Sequence, residues 1–237
     1  MKETANNTLF VTGTDTSVGK TFVCARLLEF MSSRGMQAGY QKWVATGVDG
    51  DLPDDLAVCR AAVSGTPMPE RIEEQVPYCF RYPASPHLAA AMEDRTIDPD
   101  VIVEQFHQAA SRYDWLVVEG VGGILVPLRR DLLLADFLAR LQLKTLVVAR
   151  SGLGTLNHTL LTIEALHHRQ IPVLGVVFSD SEAQEDEKLV EDNMRTIAEI
   201  GRVRVLGRLH RLQHDTKEGH AFMPVGQAIL ELLGPHG

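Results

Sequence analysis

The stretch Gly13-Thr14-Asp15-Thr16-Ser17-Val18-Gly19-Lys20-Thr21 stands between the apolar run Leu9-Phe10-Val11 and a long apolar segment beginning at Phe22. A strand, a glycine-bounded loop ending in Gly-Lys-Thr and then a helix form an arrangement in which backbone N–H groups and a helix N-terminus face an anion. Five residues separate Gly13 from Gly19, one more than the usual spacing, so the reading rests on the chemistry of the residues rather than on the pattern. Gly19 lets the backbone come close to phosphate oxygens, Lys20 brings a point charge to the terminal phosphates, and the Thr21 hydroxyl can ligate Mg²⁺. Nucleotide phosphate is therefore the expected ligand of Thr14, Asp15, Thr16, Ser17, Val18, Gly19, Lys20 and Thr21.

Further along, apolar strands alternate with helices. Asp114–Gly120 reads as a buried strand ending on the carboxylate of Glu119, and strands are expected at Thr145–Ala149, Val173–Phe178 and Val203–Leu206. Helices are expected around Pro99–Ser111, Leu132–Leu141, Thr155–His168, Asp186–Ile200 and Val225–Leu233, with Asp54-Asp55 opening another. Continuous apolar strands alternating with helices predict a three-layer α/β/α fold with a mostly parallel sheet covered on both faces. With no linker or repeat, residues 1–237 read as one domain. The stretches Thr46–Pro53 and Tyr78–His87 read as irregular loops.

Composition narrows the partners. A formal charge of −8 argues against nucleic acid, which calls for a basic face. Cys24, Cys59 and Cys79 are widely spaced, without metal-ligand spacing, and read as reduced thiols; Cys24 belongs to the core. A polar N-terminus and the lack of any membrane-length apolar run make the cytoplasm the expected location, away from membranes.

Ligands of open α/β sheets bind beyond the carboxyl ends of the strands. Thr14–Thr21, Lys42–Thr46, Glu119–Gly123, Ala149–Asn157 and Ser179–Asp180 should therefore share one rim. Glu119, followed by Gly-Val-Gly-Gly, can hold Mg²⁺ beside Thr21. Lys42 is a second cation on the rim, suited to a transferring phosphoryl group or an anionic co-substrate. Asp54 or Asp55 could supply a third metal ligand, and position alone does not choose between them; His87 could be a base or a satisfied polar group.

Together these segments resemble the dethiobiotin synthetases, through Val11–Thr21, Gly39-Tyr40 with Lys42, Val44, Thr46 and Gly47, Ser85-Pro86-His87, Val118-Glu119-Gly120 with Gly122-Gly123, and Leu153–His158. The resemblance implies a P-loop NTPase fold and an ATP- and Mg²⁺-dependent ligase. Its reaction joins CO₂ to 7,8-diaminononanoate through a carbamate and a carbamic-phosphoric anhydride that closes to a cyclic urea. It further implies Lys20 and Lys42 as the catalytic cations, Thr16, Ser17, Lys42 and Thr46 near the substrate, and Thr21, Asp54 and Glu119 around the metal. A homodimer is implied too, in which Gly152, Gly154, Thr155 and Asn157 reach the substrate carboxylate of the partner's site. Two departures concern the nucleotide and the strand end. Ser179 stands where an asparagine commonly reads adenine, which predicts weaker base discrimination, since one hydroxyl cannot supply an amide's donor and acceptor. Trp43 replaces the usual proline, and His210 also stands where proline is common. The main rival, a partition-type regulatory ATPase, normally carries an extra lysine early in the loop, and Thr14-Asp15-Thr16-Ser17 has none. A second rival, the amidoligases of the cobyrinate group, needs a glutaminase domain for which this chain has no room.

Overall fold

The computed structural model describes residues 7–234 except 64, 68, 70, 183 and 211–217. Strand β1 (Thr8–Gly13) runs into the loop and helix α1 (Lys20–Ser32); β2 (Ala38–Lys42) and the short β3 (Val44–Ala45) follow. Next come α2 (Asp54–Ala61), β4 (Tyr78–Cys79), α3 (Pro86–Met92), α4 (Pro99–Ala110) and β5 (Trp115–Gly123). A small hairpin, β6 (Pro127–Arg129) and β7 (Leu132–Leu133), leads into α5 (Leu134–Leu141). The chain then alternates through β8 (Lys144–Arg150), α6 (Thr155–His168), β9 (Val173–Ser179), α7 (Glu187–Gly201), β10 (Val205–Leu209) and α8 (Glu218–Leu233).

Six strands form one sheet in the order β10-β9-β8-β1-β5-β2, every pairing parallel. Successive side chains of a strand point to opposite faces, and the two cores follow that alternation. Leu9, Val11 and Val117 pack with Val23, Leu27 and Leu28 of α1, Leu56 of α2 and Ile229 of α8. Phe10, Leu116 and Val118 pack on the other side with Phe106 of α4, Phe137 of α5, Leu166 of α6 and Ile197 of α7. The mostly parallel, doubly covered sheet expected from the sequence is what the chain forms, with β6 and β7 as an antiparallel exception.

Four local expectations are corrected. The stretch Tyr78–His87 is not wholly irregular, because Ser85 precedes a helix with Pro86 at its first position, where a missing N–H costs nothing. The segment from Leu132 begins as a strand before α5 starts at Leu134. The last strand lies at Val205–Leu209, not Val203–Leu206, and the last helix starts at Glu218, ahead of the expected Val225. Trp43, in the place of a proline, is 1% exposed, stacks 4.9 Å from Phe10, and donates its indole N–H to Gln41 Oε1 at 3.1 Å. It therefore serves as a core anchor where β2 ends and β3 begins. Cys24 is fully buried, as expected.

Candidate functional site

The loop between β1 and α1 is held in an unusual shape by its own residues. Gly19 sits at φ 97°, and a Cβ there would come within 2.6 Å of Ser179 Oγ, so conformation and space both require glycine. Ser17 adopts φ 58°, uncommon for a residue with a side chain and typical of ligand-gripping turns. No side chain caps the first turn of α1, leaving its N–H groups directed at the loop. Lys20, only 6% exposed, reaches back to donate to the Asp15 carbonyl at 3.0 Å.

Parallel pairing of β2 with β5 sets Lys42 opposite Glu119, and pairing of β1 with β5 sets Val11 beside it. Glu119 is fully buried at this junction. Its Oε1 accepts from Thr21 Oγ1 at 3.0 Å and from Lys42 Nζ at 3.1 Å, and its Oε2 accepts from Tyr40 Oη at 2.8 Å. Thr21 Oγ1 also lies 2.7 Å from Asp55 Oδ1, and Lys42 Nζ forms a close ion pair with Asp55 Oδ2. Helix α2 thus turns Asp55 into the cluster, while Asp54 points to solvent. The expectation of Asp54 as the carboxylate beside Thr21 is corrected: successive helical residues are rotated by about 100°, so only one of the pair can face Thr21.

Burial sets the electrostatics. It draws the Lys20 ammonium below its ordinary range, with the Glu119 carboxylate pulling the other way. Burial also disfavours a charged Lys42, but Glu119 and Asp55 outweigh it and hold the Lys42 pKa above the usual lysine value. For Asp55, burial is opposed and overcome by Lys42, which keeps the carboxyl below the ordinary aspartate range. Burial, then the Glu119 carboxylate, pushes the Tyr40 hydroxyl well up, so it stays protonated as a donor.

All of these groups but Tyr40 line a cavity of about 720 Å³. Its lining is polar at Thr16, Ser17, Lys20, Thr21, Lys42, Thr46, Asp55, Ser85 and Glu119, apolar at Val44, Pro83, Ala84, Pro86, Val121 and Val126, and closed by Gly19 and Gly122. Thr14, Asp15 and Val18 support the loop from outside: Thr14 N–H donates to Val148 O at 3.0 Å, Asp15 Oδ1 accepts from Thr16 N, and Val18 is buried. Ser179 packs under Gly19 and is 8% exposed. Gly152, Gly154, Thr155 and Asn157 do not line this cavity; Thr155 is buried against Thr159, and Asn157 is exposed. His87 lies off the cavity, its Nδ1 3.1 Å from Ser85 Oγ. His210 is tied to Asp180 at 3.1 Å.

Sequence reasoning quoted Tyr40 only within the Gly39-Tyr40 match and gave it no place in the site, and it missed Arg150. The Arg150 guanidinium donates to the Thr16 carbonyl at 3.4 Å and lies 4.0 Å from the Asp15 carboxylate. Its place at the end of β8, on the same rim as the loop, was the available signal. The Pro83–Pro86 wall was marked by the Ser-Pro-His match and by the irregular stretch Tyr78–His87 that contains it.

The residues present suit a hard divalent cation. A hydroxyl and two carboxylates converge as oxygen donors, the set Mg²⁺ takes when it retains water and contacts a nucleotide phosphate. Among the described residues no group of three or more His, Cys, Asp or Glu side chains gathers as a dedicated metal centre. No helix among them is long and apolar enough to cross a membrane.

A family model described as an AAA domain matches residues 7–218. The chain is 44% identical over 207 residues to the ATP-dependent dethiobiotin synthetase BioD of Rhizorhabdus wittichii, covering 86% of this chain and 87% of that protein. It is 41% identical over 208 residues to the protein of that name in Agrobacterium fabrum (88% of each chain), and 36% identical over 199 residues to that in Methanococcus vannielii (84% and 91%). Among solved structures it resembles a ParA family ATPase from Chlorobium tepidum, with TM-score 0.52, 13% identity and coverage of 97% and 92%. The MinC:MinD cell division complex of Aquifex aeolicus gives TM-score 0.54 at 14% identity, covering 96% and 94%. At such identity these two likenesses concern the fold alone.

Proposed function

We infer the reaction from one premise: the chain belongs to the ATP-dependent dethiobiotin synthetase family. It is an ATP-dependent ligase of biotin synthesis, a cyclo-ligase. The finer reading is that it joins CO₂ to 7,8-diaminononanoate and releases ADP and phosphate. One amine of the substrate attacks CO₂, giving a carbamate. A carbamate oxygen then takes the γ-phosphoryl group of ATP, forming a carbamic-phosphoric anhydride as ADP leaves. The second amine attacks the carbonyl carbon, phosphate departs with the C–O bond electrons, and the cyclic urea closes.

The observation that carries this reading is the convergence of Lys20, Thr21, Lys42, Asp55 and Glu119 on one cavity whose lining also holds apolar residues. Lys20 and Lys42 oppose the negative charge of carbamate and phosphoryl group, while Thr16, Ser17 and Thr46 offer hydroxyls to the substrate. Mg²⁺, held by Thr21, Asp55 and Glu119, would neutralise phosphate charge when bound. Thr14–Thr21 hold the triphosphate, and Ser179, under Gly19, leaves the base weakly read, so ATP, CTP and GTP should differ little at subsaturating concentration.

The site is completed in a homodimer. Helix α6 opens at Gly154 without a side-chain cap, so its first N–H groups suit the substrate carboxylate bound in the partner's cavity. A single cytoplasmic domain fits the free thiols and the one six-stranded sheet packed on both faces. The likeness to partition and cell-division ATPases brings no second reading, because Thr14–Ser17 carries no lysine.

The test is incubation with diaminononanoate, bicarbonate and MgATP, with each omitted in turn. Dethiobiotin formed only in the complete mixture is the expected result. ATP turnover indifferent to the diamine, without dethiobiotin, would remove the assignment.

A further inference from the structure

Tyr40 stands two residues before Lys42 on β2, so both side chains leave the same face of the strand, the face covered by α1 and α2. Tyr40 is 1% exposed, and its hydroxyl donates to Glu119 Oε2 at 2.8 Å. The other carboxylate oxygen, Oε1, is the one that meets Thr21 and Lys42 at the cavity. A buried carboxylate on a flexible stem can rotate about its last bond; fixing one oxygen from behind decides where the other points. Cys59, one helical turn from Asp55 on α2, has its thiol 3.9 Å from the Thr21 carbonyl oxygen, so the helix that carries Asp55 is seated against the residue that shares Glu119 Oε1.

We propose that Tyr40 is a positioning residue for the reaction, its hydroxyl holding Glu119 with one oxygen turned to the cavity, where it takes the divalent cation. The role resembles that of the outer hydrogen bonds that orient ligands in metal sites generally. It rests on the reading that Glu119 is a cation ligand.

The experiment measures Mn²⁺ binding to the ADP complex through loss of the free-ion paramagnetic resonance signal. Tyr40→Phe keeps the ring and removes the oxygen. Mn²⁺ affinity should fall about tenfold, while ADP affinity measured in EDTA stays unchanged. In a Glu119→Gln background the same substitution should add nothing further, because its effect passes through that carboxylate. Unchanged Mn²⁺ affinity in Tyr40→Phe, with a loss in Glu119→Gln, overturns this proposal alone. Equal losses from Tyr40→Phe in both backgrounds overturn it as well, by pointing to a merely structural effect. Unchanged Mn²⁺ affinity in Glu119→Gln overturns the underlying cation reading and the proposal with it. Should the Phe variant not fold, 3-fluorotyrosine at position 40 reports instead: its ¹⁹F resonance should move when Mg²⁺ is added to the ADP complex, and should not move in Glu119→Gln. A resonance indifferent to Mg²⁺ in the native background would overturn the assignment.

Discussion

Lys42 lies buried between two carboxylates, a placement that burial alone would penalise and that Glu119 and Asp55 together make favourable. Its charge is thereby favoured at the cavity. Lys20 lacks such a close pair and is held by a backbone carbonyl. Removing it as Lys20→Ala should lower the turnover rate by ~10²–10³-fold through lost charge stabilisation, read as dethiobiotin formed per minute under saturating substrates. The two adjacent aspartates separate cleanly by side-chain direction. Asp55→Ala should raise the Mg²⁺ concentration needed for half-maximal activity by about tenfold or more, whereas Asp54→Ala, changing an exposed side chain, should leave it unaltered. A Mg²⁺ titration of both variants checks the pair, and a larger effect from Asp54→Ala would restore the expectation drawn from resemblance. That choice was not legible in the sequence because both residues open α2, and only the angle at which the helix docks decides which one faces Thr21. The loop lysine and Glu119 were legible because each is fixed by a strand end, where position along the chain translates directly into position on the rim.

Among the elements, β2 is the outer strand of the sheet, and it lies close to the segment leading into β5. A Cβ added at Gly39 would fall 2.1 Å from the Tyr113 ring, far inside contact distance. Gly39→Ala should therefore destabilise the protein by about 1–3 kcal/mol, visible as a lower melting temperature, and shift Lys42 enough to weaken turnover as well. Smaller Tyr113 variants should relieve the loss. Two helices were read well for different reasons: α6 occupies Thr155–His168 as its apolar pattern predicts, and α7 begins behind Asp186, whose carboxylate accepts from Lys188 and Leu189 N–H. Helix α3 was hidden by Pro83 and Pro86, which signal a loop, although Ser85 before Pro86 also fits a helix start. The two-residue strands β3 and β4 are too short to leave a periodic signal and form by pairing with each other in parallel, Val44 beside Tyr78 and Ala45 beside Cys79, across a separation in sequence that local pattern does not report.

At the scale of the whole molecule, the sheet edge formed by β9 and β10 is tied by the bidentate pair of Arg208 with Asp180, to which His210 and the Ser151 hydroxyl also turn. Burial works to raise the Asp180 pKa, but Arg208 and Ser151 overcome it and hold the carboxyl below the ordinary value of 3.8. A carboxyl whose pKa is lowered by folding stabilises the fold above its unfolded pKa and loses that contribution as pH falls through the folded one. Asp180→Asn should thus melt at a lower temperature than the native chain at neutral pH, with the gap closing as the pH drops below 3.8; a gap constant down to strong acid would contradict the pairing. The strand order has a consequence for the order of events in synthesis. β1 leaves the ribosome first, yet its neighbours β5 and β8 begin only at Trp115 and Lys144. Until then β1 has two open hydrogen-bonding edges and, beyond α1 over Leu9 and Val11, no cover for Phe10 on the other face, and Lys42 has no Glu119 to face. The emerging chain therefore passes through a long interval in which an apolar strand waits for the strands that flank it.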